Sequence, residues 1–346
     1  MNINREDVNW AAAEIGVAPD LAEQFWQKLS ERAAAPGRAR FDTANVAYYL
    51  GALIVMAALG WLMNLGWEQF GGTAVCLMAI LYAALFAFAG RTLWYRENLK
   101  VPGGLLFTLA VWMTPLAIYG FEQATGLWAQ GAPPDFQGYH IWVKGSWIYM
   151  EIGTILVGLI ALKFIRFPFL TFPIAFSLWY MSMDLTPLLM GKPEFTWQER
   201  LWVSLIFGLA MLLAAYLIDR RTREDFAFWG YLFGLMAFWG GLSLMESSSE
   251  WKKFVYCLIN LALIFLAVFL QRKMFVVFGA LGVFGYLEHL SSEVFRNSFL
   301  FPMAVTLLGL AVIYIGVQYQ RHSAALEQAI LNLIPEPLRK LRPAER

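Results

Sequence analysis

Hydrophobic residues form ten long runs along the chain, and short polar segments separate them. Most runs are about 20 residues long, the length of helix that crosses a hydrocarbon core of about 30 Å. The pattern therefore predicts an all-α, polytopic membrane helix bundle with about ten transmembrane helices. The predicted spans are residues 44–65, 72–90, 101–120, 147–162, 167–190, 201–218, 226–245, 254–270, 274–290 and 299–317.

Polar segments with helical periodicity lie at both ends of the chain. Leu21, Phe25 and Leu29 form an apolar stripe at helical spacing, and Gly16 separates this helix from a shorter one before it. A similar stripe starts at Leu326 and is followed by basic residues. The predicted domains are residues 1–43, a cytosolic helical hairpin with a linker; residues 44–317, the transmembrane bundle; and residues 318–346, a cytosolic amphipathic basic tail.

The composition agrees with a membrane protein and excludes two broad classes. Hydrophobic residues make up 59% of the chain and charged residues 15%, whereas soluble domains have roughly 45–50% and about 25%. An ordinary soluble enzyme is therefore excluded. The net charge is +1, and no segment is basic enough to neutralise many phosphates, so we expect no nucleic-acid partner.

The distribution of basic residues predicts the orientation. With the amino terminus inside, 20 of the 26 Lys and Arg residues fall on the inner side of the ten spans. Because positive residues accumulate in cytoplasmic loops, both termini are predicted to be cytoplasmic. The basic tail has two interpretations: an interfacial helix held near anionic lipid, at about 1 kcal/mol per basic residue, or a solvated end that packs on the N-terminal helices.

Asp184 is the most unusual acidic residue of the predicted spans. It lies about 9 Å inside the predicted outer end of the fifth span, where a carboxylate costs at least about 2.5 kcal/mol. It therefore requires a cavity, a partner or a proton. Tyr180 is one turn earlier on the same face and has a hydroxyl to donate. A functional role and a structural hydrogen bond both remain open.

Three further residues complete the candidate binding site for a substrate or ion. Glu151 lies one turn into the fourth span, where the helix dipole also favours a structural role. Glu288 and His289 are adjacent near the outer end of the ninth span, and a lone histidine is more often an interfacial hydrogen-bonding group than a proton relay. The candidates are Asp184, Tyr180, Glu151, Glu288 and His289.

Enzymatic signatures are missing from the sequence. It has no HExxH zinc motif, no P-loop, no nucleophile elbow and no Cys/His metal pattern. We therefore predict no catalytic residue, no metal site and no cofactor, although an intramembrane enzyme is only unsupported.

Small and charged residues along the spans favour structural roles. Gly230 and Gly234, and the repeated glycines that begin at Gly279, predict close helix packing. The charged run 219–225 resembles the cytosolic loop motif of major facilitator transporters, but it lacks the leading glycine. We interpret it as a topology determinant.

The N-terminal helices resemble a known family at a few positions. The residues are Trp10, Gly16, Pro19, Ala22, Trp26 and Leu29. They resemble the short cytosolic module of the bacterial membrane proteins grouped as domain of unknown function 2157, and residues 278–287 are similar to the C-terminal spans of such proteins. The resemblance implies a multi-pass protein of the bacterial inner membrane. Because this family has no assigned activity, it implies no functional residue.

Two functions follow from these observations. The first is a transporter or channel-like protein for a cation, proton or cationic small solute, with a cavity around Asp184, Glu151, Tyr180 and Glu288. The alternative is a membrane sensor or assembly protein whose N-terminal helices and basic tail bind a cytosolic protein partner.

Overall fold

The structure is a computed structural model. It describes residues 5–33, 43–69, 71–127, 146–190, 196–222, 224–245 and 249–294, with isolated positions between 300 and 314. Within these ranges the side chains of residues 5–7, 29–33, 62–69, 146, 184–190 and 294 are not described. The described residues form helices and turns and contain no strand, which confirms the all-helical prediction. The predicted tail, 318–346, lies outside them.

The chain divides into two compact units, residues 1–47 and 48–346. The first contains helix α1 (Arg5–Glu14) and helix α2 (Pro19–Ala33), which pack against each other. Gly16 turns the chain between them with a φ of +71°, a conformation in which a side chain would be strained. Ala12 and Ala22 are buried in this hairpin. The predicted helical pair is therefore present.

Ten more helices follow, and the first of them begins within the first unit. A π-helical turn, Thr92–Arg96, continues α4, and another, Leu290–Val294, continues α12. The helices are α3 (Thr43–Gln69), α4 (Gly72–Arg91), α5 (Lys100–Trp112), α6 (Thr114–Thr125), α7 (Ser146–Phe164), α8 (Thr171–Met190), α9 (Trp197–Arg221), α10 (Phe228–Ser243), α11 (Glu250–Leu270) and α12 (Lys273–His289).

Seven helical segments of the described residues are long and apolar enough to cross a membrane. Lys100–Thr125 is one of them and combines α5 and α6, while α8 and α10 are helical but lie outside this set. The region of the tenth predicted span is described only at isolated positions. The count of ten therefore stays a prediction. The seven segments are Thr43–Trp61, Gly72–Arg96, Lys100–Thr125, Trp147–Phe164, Trp197–Arg221, Glu250–Leu270 and Lys273–Glu293.

The third predicted span is broken at Met113, between α5 and α6. Pro115 causes the break because it has no backbone N–H to donate and its ring collides with the carbonyl of the preceding turn. Regular helical hydrogen bonding resumes after the break, where the Met113 carbonyl accepts from the Ala117 N–H at 3.0 Å. Trp112 and Met113, beside the break, line a cavity together with residues of α7 and α8.

Glycines allow the closest helix contacts in the second half of the chain. A Cβ on Gly234 would lie 3.2 Å from Leu212 of α9, and one on Gly279 would lie 2.6 Å from the Asn260 carbonyl of α11. Gly282 is enclosed by the Asn260 side chain, whereas Gly285 faces open space. A Cβ on Gly230 would lie 3.1 Å from Ala215 of α9, so four of the five glycines predicted to mark packing lie at close helix contacts.

Candidate functional site

A cavity of about 220 Å³ lies where α3, α5, α6, α7 and α8 meet. Its walls are mostly apolar, and four polar side chains border it: Glu151, Thr154, Ser177 and Tyr180. We call it the aromatic cavity because Trp112, Trp147 and Phe176 also line it.

Glu151 is the acidic group of the aromatic cavity and is only 5% exposed. It lies in the second turn of α7, near the predicted outer end. Thr154, one turn further, is also buried and donates its hydroxyl to the Met150 carbonyl at 2.6 Å. Gly153 lets Ile118 of α6 approach closely, which holds α7 against the helix that follows the break. Glu151 is thus fixed at the cavity wall by helix packing.

Aromatic rings surround the same cavity. The ring of Phe176 in α8 lies 5.1 Å from that of Trp112 and 5.3 Å from that of Tyr180. Trp147 contributes a further ring from the first turn of α7. Aromatic faces beside a carboxylate attract a cation through both the ring quadrupole and the negative charge. The arrangement therefore has the chemistry of a cation site.

A second cluster lies at the predicted outer end of α11 and α12. His289 Nε2 is 3.0 Å from the Glu250 carboxylate and 3.1 Å from Lys253 Nζ, and Lys253 also forms an ion pair with Glu250 at 2.9 Å. His289 and Lys253 line a wider cavity of about 820 Å³ between α9, α10, α11 and α12. This cavity has no lining residue in common with the aromatic cavity.

The structure brings two of the predicted site residues together and places two others elsewhere. Glu151 and Tyr180 meet at the aromatic cavity, but His289 lines the other cavity. Glu288 is exposed and lines neither of them; adjacent helical positions point about 100° apart. Glu288 therefore does not join Glu151 and Tyr180, and the binding site expected around Asp184, Glu151, Tyr180 and Glu288 stays a prediction. Asp184 belongs to α8, one turn after Tyr180, and its side chain lies outside the described residues.

Glu122 is a buried acidic residue outside the predicted site. It follows the predicted span 101–120, but α6 continues to Thr125 and leaves Glu122 only 5% exposed. Its Oε2 has no hydrogen-bond partner among the described residues. Glu122 does not line the aromatic cavity. The extra turn of α6 beyond the apolar run was the feature that hydropathy did not indicate.

Sequence reasoning also missed a buried ion cluster, which we call the arginine cluster. Arg272, between α11 and α12, donates to Asp219 of α9 at 2.8 Å and to Asp225 at 2.9 Å. Its guanidinium also lies 5.3 Å from the centre of the Tyr231 ring. Asp219 is 2% exposed and Arg272 9%. The charged run interpreted as a topology determinant therefore supplies a tertiary contact as well.

The charge of Arg272 is stabilised by its partners. Burial alone would lower the pKa of its guanidinium, but the hydrogen bonds to Asp225 and Asp219 and their negative charges raise it above the usual value. The cluster is therefore ionic. Arg272 donates hydrogen bonds to both carboxylates. The arginine cluster therefore joins the α11–α12 turn to α9 and to the segment that follows α9.

No protein-family model, curated protein or solved structure matches the chain. The resemblance to the family named above therefore stays a prediction. The described residues are helical and include seven segments that are long and apolar enough to cross a membrane, which indicates a lipid environment. Within the described residues, no group of three or more His, Cys, Asp or Glu side chains has the arrangement to hold a metal ion.

Proposed function

We propose that the protein binds a small cationic solute in the aromatic cavity and moves it across the bacterial inner membrane. The observation that carries the proposal is the buried carboxylate of Glu151 at the wall of a cavity lined by Trp112, Trp147 and Phe176. A cation in this cavity is attracted by one full negative charge and by several aromatic faces.

The energetics favour a positively charged ligand over a neutral one. A carboxylate within the membrane costs about 2.5–3.5 kcal/mol on insertion scales, and a bound cation offsets that cost. Cation–π contacts contribute about 2 kcal/mol when they are desolvated. The Tyr180 and Ser177 hydroxyls border the same space and are suited to a polar substituent of the guest.

The predicted topology supports a transport role. With both termini cytoplasmic, α7 starts at the outer side, so Glu151 lies near the predicted outer end of α7. The break at Met113 lies on the cavity wall. Transporters frequently place broken helices beside the substrate, because a break lets one half of a helix move against the other.

A matched pair of ligands tests the proposed cation site. Purified full-length protein is titrated with choline and with 3,3-dimethylbutan-1-ol, which has nearly the same shape and no charge. We expect choline to bind at least about tenfold more tightly, and Glu151→Gln to reduce that difference because it deletes the charge, keeps the size and leaves the aromatic rings in place. Glu288→Gln is the control, since it deletes an exposed carboxylate outside the cavity. Equal binding of the two ligands would contradict the proposal.

A second function is favoured by the N-terminal hairpin. Trp10, Leu21 and Phe25 are large, apolar and at least half exposed within this unit. Such a surface fits a cytosolic protein partner, as in a membrane sensor or assembly protein. Deletion of residues 1–40 distinguishes the two functions. It should leave choline binding intact under the transporter proposal and should abolish a partner-dependent function under the alternative.

A further inference from the structure

A third cavity lies at the C-terminal end of α4. It measures about 940 Å³ and is bordered by the last turns of α4, the π-helical turn Thr92–Arg96, α5 and the end of α7. One side is polar and carries Arg91, Thr92, Tyr95 and Arg96. The facing side is apolar and includes Phe164. This cavity is therefore basic at one wall and hydrophobic at the other.

Helix packing produces this arrangement. A Cβ on Gly103 would lie 2.9 Å from the Trp94 N–H nitrogen, so the absence of a side chain lets α5 approach the π-helical turn. The Trp94 ring packs inward, 6.2 Å from the ring of Phe167. With Trp94 on the inner face, Arg91 and Arg96 are left on the exposed face of the turn.

Lys100, the first residue of α5, follows this turn and contacts Trp94. Lys100 donates to the Trp94 carbonyl at 3.0 Å and lies 4.8 Å above the Trp94 ring. Arg91 and Arg96 differ, because no carboxylate among the described residues lies within ion-pair distance of either of them. The two guanidinium groups therefore present their positive charge to the cavity without a described acidic neighbour.

The apolar wall continues onto the outside of the bundle. Phe88 is 74% exposed and Phe164 68%, and both belong to segments able to cross a membrane. In a bilayer, side chains of this kind contact acyl chains. The cavity thus joins a surface suited to lipid tails with two arginines, the residues best matched to phosphate oxygens.

We propose that this cavity binds the phosphate head group of an anionic phospholipid, with Arg91 and Arg96 as its ligands and Phe88 and Phe164 along the acyl chains. Basic pockets between membrane helices on the cytoplasmic side bind anionic lipid in this way. Under the positive-inside topology, the turn faces the cytoplasmic leaflet. The site shares no residue with the aromatic cavity.

Binding of labelled lipid to the full-length protein in neutral detergent tests this site. Phosphatidylglycerol and phosphatidylcholine carry the same fluorescent acyl chain, and energy transfer from tryptophan reports binding. We expect phosphatidylglycerol to bind more tightly, and Arg91→Gln with Arg96→Gln to weaken it about twentyfold. The matched control is Arg221→Gln with Lys273→Gln, which removes two exposed cations from the same predicted side, away from the cavity.

The control variant should bind phosphatidylglycerol as the wild type does. Equal weakening in both double variants would overturn the proposal, because the effect would then be one of overall charge.

Soluble glycerol phosphate is used as a competitor in a further experiment. If it displaces the labelled lipid at similar concentrations, the apolar wall makes no contribution and the lipid assignment is wrong. Arg91→Lys with Arg96→Lys keeps the charge but not the planar guanidinium, so it should bind phosphatidylglycerol more weakly than the wild type and more tightly than the double Gln variant. Binding no tighter than in the double Gln variant, despite a native thermal transition, would overturn the electrostatic basis of the site.

Discussion

The aromatic cavity and the arginine cluster each contain a carboxylate buried within the helix bundle, yet their surroundings differ. Asp219 receives a guanidinium hydrogen bond at 2.8 Å, so the protein itself supplies the cation. Glu151 borders a space of about 220 Å³ between aromatic rings, where we propose that a cationic solute binds. We therefore assign Asp219 a structural role and Glu151 a role in the proposed binding site.

The largest expected effect comes from breaking the arginine cluster. Arg272→Met leaves Asp219 buried without its cation, and removal of one partner of a buried pair costs about 3–5 kcal/mol of folding free energy. Thermal unfolding in detergent measures the loss. The double variant with Asp219→Asn should recover part of it, because no unmatched charge remains at that position. An unchanged unfolding temperature in Arg272→Met would remove the structural role that we assign to the cluster.

A smaller effect is expected where α11 and α12 pack. Gly282→Ala brings a methyl group against the Asn260 side chain, and Asn260 is fully buried and accepts a hydrogen bond from Trp239 Nε1 at 3.1 Å. Overpacking of this kind costs about 1–3 kcal/mol. Gly285→Ala is the control because it faces open space on the same helix. Similar unfolding temperatures for both variants would show that this half of the bundle is not tightly packed.

The smallest expected effect is on the stability of the aromatic cavity. Glu151→Gln should lower the free energy of unfolding by no more than about 1 kcal/mol, because it deletes a costly charge and keeps the shape of the side chain. The same thermal assay, run beside Arg272→Met, measures it. A loss of unfolding free energy as large as that of Arg272→Met would show that Glu151 has a structural role like that of Asp219.

Hydropathy predicted the region of α5 and α6 but not where these helices begin and end. The apolar run 101–120 predicted one span, and the structure divides it at Met113 and extends it to Thr125. The division follows from Pro115, whose presence was visible in the sequence. The extension buries Glu122, and it depends on contacts with α4 that no local pattern contains, such as the close approach of Gly120 to Cys76.

The candidate site was predicted in part. Glu151 and Tyr180 were both selected as polar groups inside apolar spans, and the structure places them at one cavity. The aromatic lining was not predicted, because tryptophans near span ends are expected as interfacial anchors. The ion pair of Asp219 with Arg272 was also not predicted from the sequence, because the two residues are far apart in the chain and only tertiary packing brings them together.

Uptake of labelled choline into proteoliposomes tests most directly whether the aromatic cavity is a cation pathway. We expect saturable uptake by the wild type and by Glu288→Gln, and at least about a tenfold loss of uptake in Glu151→Gln. Wild-type uptake no faster than in protein-free liposomes, or an equal rate in Glu151→Gln, would contradict the proposed transport function.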